Sequence, residues 1–454
     1  MQTHFSESAR ARPQIREADR ILRSCVHCGF CNATCPTYQL LGDERDGPRG
    51  RIYLIKELLE SEPDDDQVTR ETQLHLDRCL SCRNCETTCP SGVEYHKLLD
   101  IGRAELETRV GRRPAERALR LGLRTALVEP ERFRALLALG QTFRPLAPDV
   151  LRAKIPPRHP HDHRRPDPDR HQRQMLILEG CVQPGLAPET NDATARVLDR
   201  LGIGVRAAQE AGCCGAIDFH LNAQRTGRAR MRANIDAWWP MIEKEGDARV
   251  EAIVQTASGC GAFVKEYGEM LADDPEYAAK ARRVSELTKD LVEVLRDEPL
   301  ENLPLAPADS RQRLAFHCPC TLQHAQKLGG AVEGVLTRLG FPLVPVQDAH
   351  LCCGSAGTYS ITQPTLARQL RDNKLDALEA QAPQTIVTAN IGCQSHLESA
   401  GRTRVRHWIE LVDEALDDTT DASERQSNEH RSANRQSTDR HAAPSDTEHR
   451  SHAD

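Results

Sequence analysis

Residues 25–36 read CVHCGFCNATCP, and residues 79–90 read CLSCRNCETTCP. Both segments follow the pattern C-x2-C-x2-C-x3-C-P, and each cysteine of the second segment lies 54 positions after its counterpart in the first. These short spacings let a tight turn direct the first three thiolates inward around one set of irons, while the fourth, followed by proline, ligates the cluster of the other segment. The sequence therefore predicts two [4Fe–4S] clusters.

The pattern also assigns the ligands of each cluster. One cluster is expected to be held by Cys25, Cys28, Cys31 and Cys89, and the other by Cys79, Cys82, Cys85 and Cys35. Eight cysteines can instead form two tetrahedral zinc sites, which would make the chain a zinc-bound scaffold. The three-plus-one spacing with a trailing proline, present twice, favours iron–sulfur clusters over zinc.

Cysteine is the outlier in the overall composition. The 454 residues include 17 cysteines and carry a net charge of −7, which argues against an electrostatic footprint for nucleic acid. The sequence contains no apolar run long enough to span a bilayer, and the polar segment 1–16 lacks the apolar stretch of a secretory leader. We therefore expect a cytoplasmic protein whose thiols serve metals or redox chemistry rather than structural disulfides.

A second repeat of cysteines follows after residue 175. It contains Cys181, Cys213, Cys214 and Cys260 in its first copy, and Cys320, Cys352, Cys353 and Cys393 in its second. The first three positions recur at an offset of 139 and the last at an offset of 133. Fixed offsets over several residues are typical of duplicated structural units.

The periodicity of apolar residues differs between the two parts of the chain. Residues 50–60 and 93–107 show helical spacing, and 115–139 is expected to form one or two helices interrupted near Pro130. In the duplicated part, strands and helices alternate instead. Strands are expected at 175–178, 252–255, 314–316 and 385–387, and a helix is expected at 192–201. This alternation predicts α/β units with their cysteines on loops at the strand ends.

These observations predict a multidomain protein, whose first domain resembles the α-helical ferredoxin of succinate-dehydrogenase-type proteins. The expected boundaries are 1–18 for a polar N-terminal lead, 19–108 for the α-helical ferredoxin domain, 109–153 for a helical connector, 154–174 for a linker rich in proline and histidine, 175–300 and 311–416 for the two copies of the duplicated unit, and 417–454 for a disordered tail. The tail, and the linker after Ile155, lack the large apolar residues needed for a core.

The duplicated cysteines carry a more specific resemblance. GCCG at 212–215 and LCCG at 351–354 look like the cysteine-rich CCG domain found in heterodisulfide reductases, in anaerobic glycerol-3-phosphate dehydrogenase and in lactate-utilisation iron–sulfur proteins. In heterodisulfide reductase the domain ends in Cys-x-x-Cys, whereas Phe263 and His396 occupy the last position here. Cys318 or His396 can replace that ligand in the second copy, but Phe263 cannot in the first.

Three roles stay open for the cysteines of the duplicated part. They can hold an additional iron–sulfur cluster, act as redox thiols, or be buried structural residues. The cysteines concerned are Cys181, Cys213, Cys214, Cys260, Cys318, Cys320, Cys352, Cys353 and Cys393. His27, His75 and His317 lie near motif cysteines in the sequence, where they can tune a cluster through hydrogen bonds or be ordinary loop residues.

Over residues 20–412 the chain most resembles the iron–sulfur subunits of glycolate oxidases. The resemblance lies in the order of the ferredoxin motifs and the two CCG domains, and in the stretches ERDGPRGRIYLIKELL (44–59) and TASGCGAFVKEYGEML (256–271). The resemblance implies FAD on partner subunits, which oxidise glycolate to glyoxylate. It also implies that this chain relays the electrons towards an acceptor such as quinone, at the inner face of the membrane.

Three alternatives remain beside this interpretation. The chain can be the equivalent component of a lactate dehydrogenase or of a glycerol-3-phosphate dehydrogenase, or a heterodisulfide-reductase-like thiol redox enzyme fed by the ferredoxin. The sequence offers no catalytic motif and no hydride acceptor of its own. Its nearest dinucleotide-like segment, 202–207, follows a helix rather than a strand and is interpreted as a turn.

Overall fold

The computed structural model describes residues 1–62, 69–146, 155–158, 163–243, 250–307 and 311–416. The predicted tail at 417–454 lies outside the described residues, as do 147–154 and 159–162 of the connector and linker. The described chain forms a helical N-terminal domain, a helical hairpin and two α/β units. None of its described helices is both long and apolar enough to traverse a bilayer.

The described N-terminal domain is helical throughout. Its helices are α1 Glu7–Arg10, α2 Pro13–Ser24, α3 Phe30–Ala33, α4 Pro36–Leu41, α5 Pro48–Glu60, α6 Arg70–Asp77, α7 Asn84–Thr87 and α8 Tyr95–Arg109, with a 3-10 turn at Glu44–Asp46. Apolar residues spaced three or four positions apart on α2, α5 and α8 meet in one core. The helices predicted at 50–60 and 93–107 are confirmed, with ends that differ by at most two residues.

Helix α2 contradicts the prediction of a separate polar lead at 1–18. The helix starts at Pro13, and the side chains of Ile15 and Ala18 are fully buried in the core of the domain. The amino group of Met1 donates to the carbonyl oxygen of Cys25 at 2.6 Å. The segment has a polar average composition because only one stripe of the helix is apolar, and that stripe is the buried one. Residues 1–18 therefore belong to the ferredoxin domain.

The described part of the predicted connector forms a hairpin of two helices, α9 (Pro114–Leu127) and α10 (Pro130–Phe143). The break falls at residues 128–129, immediately before Pro130, as predicted. Neither helix contains a buried residue, whereas Val128 in the turn between them is 3% exposed. The large apolar side chains exposed on the two helices are Leu119, Leu121, Leu136, Leu139 and Phe143.

The duplicated part forms two parallel sheets of four strands, one for each copy. The strands are β1 Arg173–Ile177, β2 Ile203–Ala207, β3 Val250–Gln255, β4 Thr288–Asp290, β5 Leu314–His317, β6 Leu343–Val344, β7 Thr385–Thr388 and β8 Val405–His407. Their order is β2-β1-β3-β4 in the first sheet and β6-β5-β7-β8 in the second. The shared strand order confirms the predicted duplication of an α/β unit.

Helices connect the strands of both copies. Those of the first copy are α11 Gln183–Leu186, α12 Glu189–Arg200, α13 Ala216–His220, α14 Gln224–Ile242, α15 Ser258–Lys265, α16 Tyr267–Met270, α17 Ala278–Leu287 and α18 Leu291–Leu295. Those of the second are α19 Ala331–Arg338, α20 Tyr359–Thr362, α21 Pro364–Glu379, α22 Ile391–Glu398 and α23 Trp408–Glu414, with a π-helical turn at Thr321–Ala325. Gly202, with a φ of +77°, forms the turn from α12 into β2, as the sequence indicates.

The two copies share a core. One cluster of buried residues joins Val197 of the first copy to Leu314 and Trp408 of the second. At the same contact Arg196 pairs with Asp413 at 2.6 Å. Burying these apolar side chains stabilises the contact between the sheets as well as each sheet separately.

The predicted linker is shorter than expected at its C-terminal end. Strand β1 begins at Arg173, inside the predicted range 154–174, and pairs in parallel register with β2. The described part of the linker lies along the first copy, where Arg165 pairs with Asp192 and His171 Nε2 lies 2.8 Å from Asp199 Oδ1. These polar contacts fix the linker without the large apolar residues that it lacks.

The glycine of each Cys-Cys-Gly triplet is required by its backbone conformation. Gly215 and Gly354 have φ angles of +96° and +84°. A Cβ atom on Gly215 would lie 2.8 Å from the carbonyl oxygen of Gly227, and a Cβ atom on Gly354 would lie 2.7 Å from that of Ala367. The chain therefore passes so close to α14 in the first copy and to α21 in the second that only glycine fits without displacing backbone.

We predict that Gly354→Ala lowers the free energy of unfolding by at least about 1–3 kcal/mol, because alanine adds backbone strain and a clash with the carbonyl oxygen of Ala367. Guanidinium unfolding of the purified protein measures the loss. Gly357→Ala is the matched control: its φ is +62° but no atom lies within 4 Å of the added Cβ. Equal losses in the two variants would contradict the role given to the close approach.

Candidate functional site

The two ferredoxin motifs adopt the same backbone conformation. In the first motif His27 and Gly29 have φ angles of +55° and +83°, and in the second Ser81 and Arg83 have φ angles of +52° and +61°. Left-handed residues at matched positions turn each loop back on itself between successive cysteines. The strain at the non-glycine positions is of order 1 kcal/mol or more each, so the surrounding contacts have to hold the loops in this shape.

The first group of thiols lines a cavity at the surface. Cys25, Cys28 and Cys31 of the first motif meet Cys89 of the second there, and Cys28 is exposed. Burial, together with the neighbouring thiols, raises the pKa of Cys25 and raises the pKa of Cys31 to about 11. Thiols this close together release their protons only where a positive centre compensates the charge, which fits the metal core of a cluster.

The second group contains the remaining four motif cysteines and lies deeper. Cys79, Cys82 and Cys85 come together with Cys35 of the first motif, and burial raises the pKa of Cys82 and Cys85. The sulfur of Cys35 lies 3.3 Å from Thr37 Oγ1, and the amide of Ser81 donates to the sulfur of Cys79 at 3.4 Å. Hydrogen bonds to sulfur of this kind are among the groups that set the potential of a bound cluster.

A buried ionic network supports the second group of thiols. Asp46 is completely buried and lies 2.9 Å from His75 Nδ1, 2.8 Å from Arg78 and 3.5 Å from Arg51. Arg51, which is 1% exposed, also donates to the carbonyl oxygen of His75 and to Thr37 Oγ1. Of the histidines noted in the sequence, His75 therefore supports the network, whereas His27 stacks on Tyr53 with a centroid distance of 4.4 Å.

We predict that Arg51→Met lowers the free energy of unfolding by about 3–5 kcal/mol, because it leaves the carboxylate of Asp46 buried beside fewer cations. The reduction potential of the nearer cluster should also fall, since a positive charge close to a cluster favours its reduced state. Unfolding in guanidinium and a redox titration followed by electron paramagnetic resonance measure the two effects. The control is Arg45→Met, which removes an arginine paired with Asp43 at the exposed surface. A potential unchanged in Arg51→Met would contradict the electrostatic role.

The cysteines of the first CCG copy form a row of thiols. Cys181 lies beside Cys213, and Cys214 lies beside both Cys213 and Cys260. Val128, in the turn of the α9–α10 hairpin, packs on Cys181 and Cys213. The connector therefore covers this row, which the sequence did not indicate.

The second copy repeats the row with one addition. Cys320, Cys352, Cys353 and Cys393 lie next to one another in this order. The imidazole of His317, at the end of β5, lies beside the far end of the row: its ring nitrogen and the sulfurs of Cys353 and Cys393 are all within 4.8 Å of one another. Burial lowers the pKa of His317 to about 3, so the ring is neutral at physiological pH.

The two residues proposed from the sequence to complete the second copy lie elsewhere. Cys318 faces the core shared by the copies, and His396 Nε2 lies 3.2 Å from the carbonyl oxygen of Ala367. The structure brings His317 to the row in their place. The sequence repeat distinguishes His317, because the equivalent position of the first copy, 139 residues earlier, is the apolar Leu178.

The second ferredoxin motif packs directly on the second CCG copy. Leu80 belongs to the same buried cluster as Cys320 and Cys352. Asn84 donates to the carbonyl oxygen of His350 at 3.1 Å. The deeper thiol group of the ferredoxin domain and the thiol row of the second copy are therefore neighbours.

Comparison with known families agrees with this geometry. Residues 21–93 match the family described as a 4Fe-4S dicluster domain, and residues 175–265 and 314–398 each match the cysteine-rich (CCG) domain family. The dicluster match favours iron–sulfur clusters over the zinc alternative. These domains together define an iron–sulfur electron-transfer protein.

Whole-chain relatives narrow the class. The chain is 65% identical over 417 residues to the glycolate oxidase iron–sulfur subunit of Escherichia coli (strain K12), covering 92% of this chain and 100% of that protein. It is 31% identical over 431 residues to the probable glycolate oxidase iron–sulfur subunit of Bacillus subtilis (strain 168), covering 87% and 94%. Lactate utilization protein A of Geobacillus kaustophilus (strain HTA426) is 29% identical over 254 residues, which is 53% of this chain and 98% of that protein. The chain belongs to the family of glycolate oxidase iron–sulfur subunits.

Proposed function

We propose that this chain is the electron-transfer subunit of a flavin-dependent glycolate oxidase. Its combination of a dicluster domain with membership in that family carries the proposal. Partner subunits that bind FAD oxidise glycolate to glyoxylate, and this chain passes the electrons towards an acceptor such as quinone. The lactate alternative has weaker support, since the lactate utilization match extends over about half of the chain.

Two [4Fe–4S] clusters are the proposed cofactors, and the grouping of the thiols supports this number. Cys25, Cys28, Cys31 and Cys89 are assigned to one cluster, and Cys79, Cys82, Cys85 and Cys35 to the other. A bound cluster accepts and releases single electrons. The residues of this chain hold the thiols together, donate hydrogen bonds to sulfur and place the cation of Arg51 beside the second group.

The surface around the first thiol group is the proposed docking site for a flavin subunit. Cys28 is exposed, and the flanking apolar residues Val26 and Phe30 expose 67% and 61% of their surface. The second thiol group lies instead against the second CCG copy, through Leu80. Exposed apolar residues around a redox centre are suited to a protein partner that has to approach it closely.

The proposed location is cytoplasmic, with peripheral contact at the inner membrane. The leucines exposed on α9 and α10 support such a contact, because they offer apolar side chains at the surface of the described residues. Arg117 and Arg134 are exposed on the same helices and suit anionic headgroups.

We predict that Cys28→Ser abolishes glycolate-dependent dye reduction by the complex reconstituted with its flavin subunits, because one cluster loses a ligand. Dye bleaching with glycolate as the donor is the measurement. Cys318→Ala, at a cysteine that lies off both thiol rows, should retain activity. Full activity in Cys28→Ser would remove the basis for a relay through the first cluster.

We predict that Phe30→Asp weakens association with the flavin subunits by about tenfold or more, or about 1.4 kcal/mol, because it places a charge in the proposed apolar contact. Binding can be measured by calorimetry or by co-purification at graded concentrations. Leu121→Asp is the matched control, since Leu121 is 60% exposed but lies on the hairpin. Equal effects of the two substitutions would argue against docking at the first thiol group.

The thiol row of the first copy supports one further candidate function. Adjacent cysteines can act as a redox dithiol, as in a heterodisulfide-reductase-like enzyme fed by the ferredoxin. Reduction of a heterodisulfide by the purified chain with an artificial electron donor, lost in Cys213→Ser, would favour it.

A further inference from the structure

His317 is a buried side chain, and one of its two ring nitrogens has no hydrogen-bond partner among the described residues. It is 1% exposed, and its Nδ1 pairs with Thr388 Oγ1 at 3.0 Å. Its Nε2 is buried and has no hydrogen-bond partner among the described residues. Leaving a buried polar atom unpaired costs about 1–3 kcal/mol, so this ring nitrogen requires a partner that the described residues do not supply.

The surroundings of this nitrogen are sulfur ligands. A ring nitrogen of His317 and the sulfurs of Cys353 and Cys393 lie within 4.8 Å of one another, and all three residues are buried. Asn390 Nδ2 donates to the sulfur of Cys393 at 3.3 Å. An imidazole fixed through its other nitrogen, next to a cysteine sulfur that accepts a hydrogen bond, is the arrangement found around bound metals.

The described residues of the first copy do not form this arrangement. Leu178 occupies the position that corresponds to His317 and is buried in an apolar cluster with Phe263. Phe263 in turn packs edge-on against Tyr267. The two copies therefore share a row of four cysteines, and within the part of the chain that the structure describes the second copy alone adds a nitrogen ligand to it.

The shape of the row indicates the kind of metal. Adjacent cysteines such as Cys352 and Cys353 cannot readily bind the same ion, but they can serve two irons. The three ligand atoms that come together belong to His317, Cys353 and Cys393, while Cys320 and Cys352 extend the row towards the ferredoxin domain. An extended set of sulfur ligands with one imidazole suits a polynuclear iron–sulfur centre better than a single zinc ion.

We propose that the second CCG copy, and not the first, holds a third metal centre: an iron–sulfur centre with His317 Nε2 as its nitrogen ligand and cysteines of the second row as its sulfur ligands. This assignment stands on the second copy alone. It does not depend on which 2-hydroxy acid the flavin subunits oxidise.

The test uses the full-length protein purified without oxygen, in which iron, acid-labile sulfide and zinc are measured per chain. His317→Leu, which installs the residue of the first copy, should lose the iron that exceeds the two ferredoxin clusters and keep their paramagnetic signals. The matched control His396→Leu should retain all of the iron, and so should Cys260→Ser in the first copy. Zinc in place of the additional iron, or unchanged iron in His317→Leu, would overturn the proposal.

A second variant covers the case in which His317→Leu fails to fold. His317→Cys keeps a metal ligand at this position, so the additional iron should remain. Pulsed paramagnetic resonance should show a nitrogen hyperfine coupling in the wild-type protein that is lost in His317→Cys. A nitrogen coupling that persists in this variant would show that another imidazole binds the metal, and would exclude His317.

Discussion

Bringing thiolates together from two distant segments is the constraint on which the ferredoxin domain depends. Sulfur atoms that share a small volume repel one another when ionised and stay protonated when buried, as the raised pKa of Cys31 and Cys85 indicates. Two features of the chain offset this cost: left-handed loops hold the cysteines inward, and the buried guanidinium of Arg51 lies beside the deeper group. Helices α2, α5 and α8 form the frame that keeps the two motifs facing each other.

The duplicated part uses one architecture for two different environments. Both copies place a row of four cysteines at the ends of parallel strands and close the Cys-Cys-Gly turn with a glycine that has a positive φ. The first row is covered by Val128 of the hairpin, whereas the second lies next to Leu80 of the ferredoxin domain. Identical topology therefore does not give the two rows the same neighbours, and their chemistry can differ accordingly.

The parts of this structure that follow local rules could be predicted from the sequence. Cysteine spacing, the offset of 139 and apolar periodicity led to the correct domain order and to strands placed within two residues of their observed ends. The average polarity of the segment 1–18 predicts a separate lead, because it conceals the buried stripe of α2. The sequence shows His317 only as a neighbour of a cysteine, since nothing local indicates that its ring nitrogen approaches Cys393, which lies 76 positions further along the chain. Contacts between domains, such as that of Leu80 with Cys320, leave no pattern in one sequence.

The core that joins Val197 to Leu314 and Trp408 has a consequence for modularity. Neither CCG copy can be separated from the other without cost, because separation would expose the apolar side chains of their shared core to water. Either CCG copy expressed by itself would expose that apolar surface and tend to aggregate or to dimerise. A truncated version of such a protein therefore has to retain both CCG copies.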